Sequence, residues 1–213
     1  MSRAFRLGIT GKIGSGKSTL SEIARKKGIR VLEADIIAKE VMTSDPIVRD
    51  NIKSLLGSES FINDNLNRSY LASKIFTDDA LRIQLEEIVH PATLEVFNSE
   101  FRKAKSGEIV AVESAILFQT GLDDIFDAVI LIDAKDEDII KREKASRKFT
   151  GEDIVNRLGQ QHYVPEWKDD ADFVIKNNGS ESEFISRCES LIEIIKIIAK
   201  QELPEKPLRQ ILE

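Results

Sequence analysis

A single cysteine, Cys188, stands in 213 residues, so no internal disulfide can form. That scarcity fits a reducing compartment, and the cytoplasm is the expectation. Cys188 lies in a helical pattern and reads as a packing residue. No Cys/His spacing of the zinc type occurs, no repeat, and no low-complexity stretch. No apolar run is long enough to cross a bilayer. No leader is visible, because the chain moves straight into an apolar segment. Basic residues are not in excess: 31 Lys and Arg face 37 Asp and Glu, a net charge of −6. A general nucleic-acid binder would be basic, so nucleic acid and membrane are not expected partners. A local cationic pocket for phosphates remains possible. Oligomeric state is left open.

What is present is a phosphate-binding loop. Gly11-Lys12-Ile13-Gly14-Ser15-Gly16-Lys17-Ser18, with Thr19 behind it, reads G-x-x-x-x-G-K-S. Glycines let the backbone turn tightly and approach a ligand. Successive N–H groups then line one concavity and take phosphate oxygens. Lys17 brings a cation to the β- and γ-phosphates, and the Ser18 hydroxyl can ligate Mg²⁺. The surroundings agree. Phe5 to Thr10 reads as a buried strand, and Ser18 to Lys27 has helical spacing, with Gly28 as its stop. The start of that helix adds its dipole to the anion site.

Further along, strand and helix patterns alternate. Ile29–Leu32 reads as a strand ending at Glu33-Ala34-Asp35, followed by a helix over Ile36–Met42. Thr43 to Pro46 breaks it, and Ile47–Leu56 is again helical. Gly57–Asn67 is polar and turn-rich. Tyr70–Lys105 is helical, with breaks expected near Asp78-Asp79 and at Pro91. Ile109–Val112, Asp127–Ile132 and Phe173–Ile175 are strand candidates; Asp136–Lys148 and Glu181–Lys200 are helical. Thr150 with Asp153 suggests a capping box, and Pro165 an ending. The alternation predicts an α/β fold: a three-layer P-loop nucleoside-triphosphatase core built on a parallel sheet. Residues 1–35, 107–135 and 163–200 would form that core, and 36–106 an inserted helical subdomain. Residues 201–213, with Pro204 and Pro207, form a tail. Ligands of such sheets sit beyond the carboxyl ends of the strands, which puts Gly11, Asp35, Glu113 and Asp133 on one rim. Glu113 and Asp133 are candidates to hold a Mg²⁺-bound water, or to cap strand ends.

The chain resembles the dephospho-CoA kinase family. The likeness rests on the loop, on Glu33-Ala34-Asp35, on Val89-His90-Pro91 and on Ile116-Leu117-Phe118. It extends to Arg157 with Gln161, and to Ala171-Asp172-Phe173-Val174-Ile175 with Asn177 and Gly179. These blocks keep their order from about residue 5 to 198. The resemblance implies transfer of the ATP γ-phosphoryl to the 3′-hydroxyl of dephospho-CoA, the last step of coenzyme A biosynthesis. ATP and Mg²⁺ are the implied cofactor requirements. Residues 36–106 would bind the CoA moiety, and a helical lid would span 136–162. The nucleotide would be held by Gly11, Ile13, Gly14, Ser15, Gly16, Lys17, Ser18 and Thr19, with Asn177 near the base. The acceptor would meet Asp35, His90, Ile116 and Leu117, and Ser18 would take the metal. Lys17, Asp35 and Arg142 would carry the chemistry.

The chain departs from the family pattern in places. Lys12, Glu33, Ser114-Ala115 and Gln119 replace its usual residues, and Arg147 follows Arg142 one position late for an Arg-x-x-x-Arg pair. Read from residue type alone, Asp35 is either the carboxylate that receives the acceptor's proton or the N-cap of a helix starting at Ile36. Arg142, Arg147 and Lys148 are either phosphate clamps or a solvated helix face. His90 touches ligand or caps a helix; His162 has no assigned role, and Trp167 packs or senses the lid. Two other functions stay open: a kinase for another small acceptor, and a nucleotide-binding relative without transferase activity. The guanine-reading Asn-Lys-x-Asp and the transporter Leu-Ser-Gly-Gly-Gln elements are both absent.

Overall fold

The computed structural model describes residues 3–76, 78–146, 154–155, 158–159 and 167–201. The chain divides into two compact units, one running up to Leu32 and again from Phe101 onward, the other Glu33–Glu100. The expected insert, 36–106, thus has slightly different limits.

In the first unit, a sheet of five strands has the order β2-β5-β1-β6-β7. These are β1 (Phe5–Gly11), β2 (Arg30–Glu33), β5 (Ile109–Glu113), β6 (Ala128–Asp133) and β7 (Phe173–Lys176). The pairings of β1 with β5, β1 with β6, and β6 with β7 are all parallel. Strands buried on both faces need continuous apolar runs, and the central ones have them. On one face, Phe5, Leu7 and Ile9 join Leu20, Ile23 and Ala24 of helix α1 (Lys17–Lys26). Phe184, Cys188, Ile192 and Ile195 of the last helix, Glu181–Ile198, complete that core. The other face is so close-packed at Gly8 that an added Cβ would lie 3.1 Å from Leu117 and 3.2 Å from Val129. The last helix opens with a capping box, Ser180 with Glu183, which also holds the Glu183 carboxyl below its usual range through hydrogen bonds from Ser180.

Register puts the functional rim together. Ile9 pairs with Glu113, Gly11 with Ile132, and Asp133 with Lys176. Gly11, Glu113 and Asp133 therefore end their strands at the same edge. At the opposite end, Asp127 accepts from both guanidinium nitrogens of Arg3 and from the Arg6 N–H at 2.8 Å.

The second unit is helical. Helices α2 (Ala34–Ser44) and α3 (Pro46–Leu56) are separated by Asp45, whose side chain caps α3. The polar stretch after α3 contains a small hairpin, β3 (Phe61–Ile62) with β4 (Asn65–Leu66). Its turn residues, Asn63 and Asp64, both have positive φ, as a tight hairpin requires. Arg49 fixes the turn through Asp64 at 2.7 Å while lying over the Phe61 ring. Helix α4 (Arg68–Ile75) follows, and then α5 (Asp79–Lys103), whose last residues belong to the first unit.

The expected break at Pro91 does not occur: α5 runs through it. Leu85, Val89, Thr93, Phe97 and Phe101 recur every fourth residue and are buried. That stripe continues unbroken past an exposed Pro91, so packing offsets the lost hydrogen bond. The expected break at Asp78-Asp79 is present, with the Asp78 side chain capping α5 through the Ala80 and Leu81 N–H groups. The described residues of the first unit also include α6 (Asp136–Ser146), the short α7 (Trp167–Asp170), and α8, the last helix already described. The Thr150–Asp153 box, Arg147, Lys148, Arg157, Gln161, His162, Pro165, Pro204 and Pro207 lie outside the described residues.

Candidate functional site

The Gly11–Lys17 turn joins the carboxyl end of β1 to the start of α1. Gly14 and Gly16 take φ of +69° and +114° there. A Cβ on Gly14 would sit 2.7 Å from Ile139 of α6, and one on Gly16 would meet Asn177 and Phe184 at 2.7 and 2.8 Å. Glycine is thus required at both positions by conformation and by space. Ser15 is fully buried between them. The Lys17 ammonium donates to the carbonyls of Gly11 and Lys12, at 2.8 and 2.9 Å, folding back across its own loop.

At the first turn of α1, the Ser18 hydroxyl donates to Glu113 at 3.3 Å and Ser21 donates to the same carboxylate at 2.6 Å. Glu113 is thus placed against the loop serine by the β1–β5 register. Sequence reading missed Ser21; its spacing of three from Ser18 on a helix was the available signal. A hydroxyl and a carboxylate are hard oxygen donors of the kind Mg²⁺ takes. Among the described residues no cluster of three or more His, Cys, Asp or Glu could cage a metal. The pair therefore suits an ion that retains waters and shares phosphate oxygens.

Of the two readings of Asp133, its contacts are those of a strand end. Its carboxylate pairs with Lys168 at 2.9 Å, and its main-chain carbonyl accepts from the Asn177 N–H. It ties β6 to the α7–β7 segment. Asn177, expected near a nucleotide base, is buried, and its side-chain amide donates to the Ser15 carbonyl at 2.7 Å. Its own carbonyl accepts from Arg142 at 2.9 Å. Arg142 thus lies beside the loop, held through Asn177, and its second guanidinium nitrogen is buried without a hydrogen-bond partner among the described residues. Lys12 turns outward and pairs with Asp136 at 2.7 Å, joining the loop to the first turn of α6. Ile13 and Thr19 complete the segment.

Leu117 is only 1% exposed and packs against the Gly8 position, so its side chain belongs to the core rather than to a ligand surface. Its neighbour Ile116 is 37% exposed. Gln119 is also exposed, and Trp167 packs on Phe118 with ring centroids 5.6 Å apart. In the helical unit, Asp35 is not an N-cap: α2 begins at Ala34 with Glu33 before it, and Asp35 falls in the first turn. Its carboxylate is exposed and unpaired among the described residues. A carboxylate there is favoured by the helix dipole and is free to accept a proton or hydrogen bond. His90 is half-buried on α5, directly before Pro91.

A parallel sheet with this loop at the end of its central strand defines a P-loop nucleotide-binding core. The family model for dephospho-CoA kinase matches residues 5–183. A dephospho-CoA kinase of Bacteroides fragilis is 33% identical over 178 residues, covering 84% of this chain and 87% of its own length. Among solved structures, a Thermus thermophilus protein aligns with TM-score 0.77 at 27% identity, over 91% of this chain and 98% of its own. A dephospho-CoA kinase from Campylobacter jejuni aligns with TM-score 0.67 at 25% identity, over 90% and 97%. The chain belongs to the dephospho-CoA kinase family.

Proposed function

We propose that the protein transfers the γ-phosphoryl of ATP to the 3′-hydroxyl of dephospho-CoA, yielding CoA and ADP in the cytoplasm. Support for the phosphoryl donor comes from the Gly14–Ser18 turn, with Lys17 bent across it and Ser18 against Glu113. Support for the acceptor comes from family membership over residues 5–183.

Each group then has a task. Main-chain N–H groups of the loop hold the β- and γ-phosphates, and Lys17 leaves its carbonyl partners to neutralise charge on the transferred group. Ser18 and Glu113 would hold Mg²⁺, the hydroxyl as a ligand and the carboxylate through a metal-bound water. Such an ion would supply positive charge to the triphosphate. Asp35 orients the incoming hydroxyl and receives its proton. The transition state is loose, so alignment outweighs base strength. Arg142, on α6, reaches the phosphates and helps exclude water. Residues of the helical unit, His90 among them, and the exposed Ile116 contact the CoA moiety.

The test is a coupled ADP-release assay with dephospho-CoA, nucleosides and nucleoside monophosphates as acceptors. Dephospho-CoA should give the highest kcat/KM. Faster turnover of any other acceptor would overturn the assignment.

A further inference from the structure

We infer that Asn177 is a positioning residue for the phosphate loop: it aims one loop N–H at the triphosphate, and does not read the nucleotide base. The inference rests on the loop holding a triphosphate, as proposed above.

The argument begins with a peptide plane. The Asn177 side-chain amide donates to the Ser15 carbonyl at 2.7 Å, across 162 residues of sequence. A trans peptide sets its C=O and N–H antiparallel. Fixing the Ser15 carbonyl toward Asn177 therefore points the N–H of Gly16, in the same plane, the opposite way. A loop that binds anions by converging N–H groups depends on that direction. With φ of +114° and no Cβ, Gly16 has little intrinsic preference to hold it. The hydrogen bond supplies what the glycine lacks.

Asn177 is itself held on both sides. Its N–H donates to the Asp133 carbonyl at 2.8 Å, which anchors it to the end of β6. Its carbonyl accepts from Arg142 at 2.9 Å. The residue is 5% exposed, and its amide nitrogen lies 2.7 Å from where a Gly16 Cβ would be. A group so enclosed has no face left for a purine ring. It can set the loop's geometry, and a nearly isosteric apolar residue would leave the buried Ser15 carbonyl without this donor.

Two ligands separate the readings. Equilibrium binding of MgATP and of inorganic tripolyphosphate is measured without acceptor, for wild type and Asn177→Leu, well below each protein's melting midpoint. A positioning role predicts that both ligands weaken together, by roughly tenfold or more, because both use the loop N–H groups. The KM for dephospho-CoA should stay within about twofold of wild type. Loss of ATP affinity alone would assign Asn177 to the base and overturn the inference. Unchanged affinity for both ligands, with only a lower melting temperature, would reduce Asn177 to fold maintenance and also overturn it. Should Asn177→Leu not fold, Asn177→Ala, which introduces no larger side chain, gives the same comparison. Wild-type protein that binds neither ligand would instead defeat the proposed function itself.

Discussion

Ser18 and Glu113, 95 residues apart, share a hydrogen bond of 3.3 Å, and Ser21 takes the other oxygen of the same carboxylate at 2.6 Å. Two hydroxyls on one face of α1 thus orient one acid at the end of β5. The arrangement leaves the Ser18 oxygen and a carboxylate oxygen close together at the loop.

For Glu113→Gln, the charge is lost while the shape is kept. The Mg²⁺ concentration needed for half-maximal activity should rise about 10–100-fold, the usual cost of losing a group that orients metal ligands. A Mg²⁺ titration of initial rates checks this. Ser21→Ala should shift the same curve less, because Ser18 still contacts the acid.

Replacing Asp35 by Asn removes the proposed proton acceptor at an exposed carboxylate. Turnover should fall about 10²–10⁴-fold while ATP affinity is retained. Stability should change by less than about 0.5 kcal/mol, since the group is exposed and unpaired among the described residues. Steady-state kinetics with a parallel ATP titration gives the split; near-normal turnover would return Asp35 to the role of a first-turn acid.

If Arg142 clamps the phosphates as proposed, Arg142→Ala should lower kcat about 10²-fold. Arg142→Lys should not rescue it, because an ammonium cannot hold the Asn177 carbonyl and a phosphate with a rigid fork. An unchanged rate in the alanine variant would make Arg142 a packing residue.

Burial pushes the Cys188 thiol from its usual 9.0 up to about 12. The folded state therefore keeps its proton where the unfolded state has lost it. Stability from this group is complete below about pH 9 and falls as pH rises from there toward 12. Denaturation midpoints of wild type against Cys188→Ala should show the wild type losing ground above that pH. Native protein at pH 8 should resist a thiol reagent, and denaturant should expose the single thiol.

Asp127→Ala removes the acceptor for the Arg6 N–H and for the Arg3 guanidinium at the far end of the sheet. Arg3 is 40% exposed, which discounts the ion pair. The part-buried Arg6 N–H loses its acceptor, so denaturant unfolding should report a loss of about 1–3 kcal/mol. The kcat of the folded protein should be unaffected.

The order of strand, loop and helix was readable because each element carries its own local period. Gly14, Gly16, Lys17 and Ser18 advertise a phosphate site within a handful of residues. The β3–β4 hairpin was not readable: two-residue strands carry no alternation, and only the turn residues Asn63 and Asp64 mark it. Pro91 misled because a local helix breaker was outweighed by a buried stripe extending to Phe101. The commitments of Asn177 to Ser15 and of Asp133 to Lys168 were hidden for another reason. They join distant parts of the chain, and no local pattern encodes which polar group will meet which. Leu117 shows the same limit, since nothing in its neighbourhood says that it turns inward beneath Gly8.

The central claim is a reaction, and mass spectrometry of its product tests it most directly. Protein, MgATP and dephospho-CoA should give a species heavier by one phosphoryl group that co-elutes with authentic CoA, with ADP in equal amount. Lys17→Ala should give almost none. Absence of CoA from wild type, or ADP formed without it, would contradict the account.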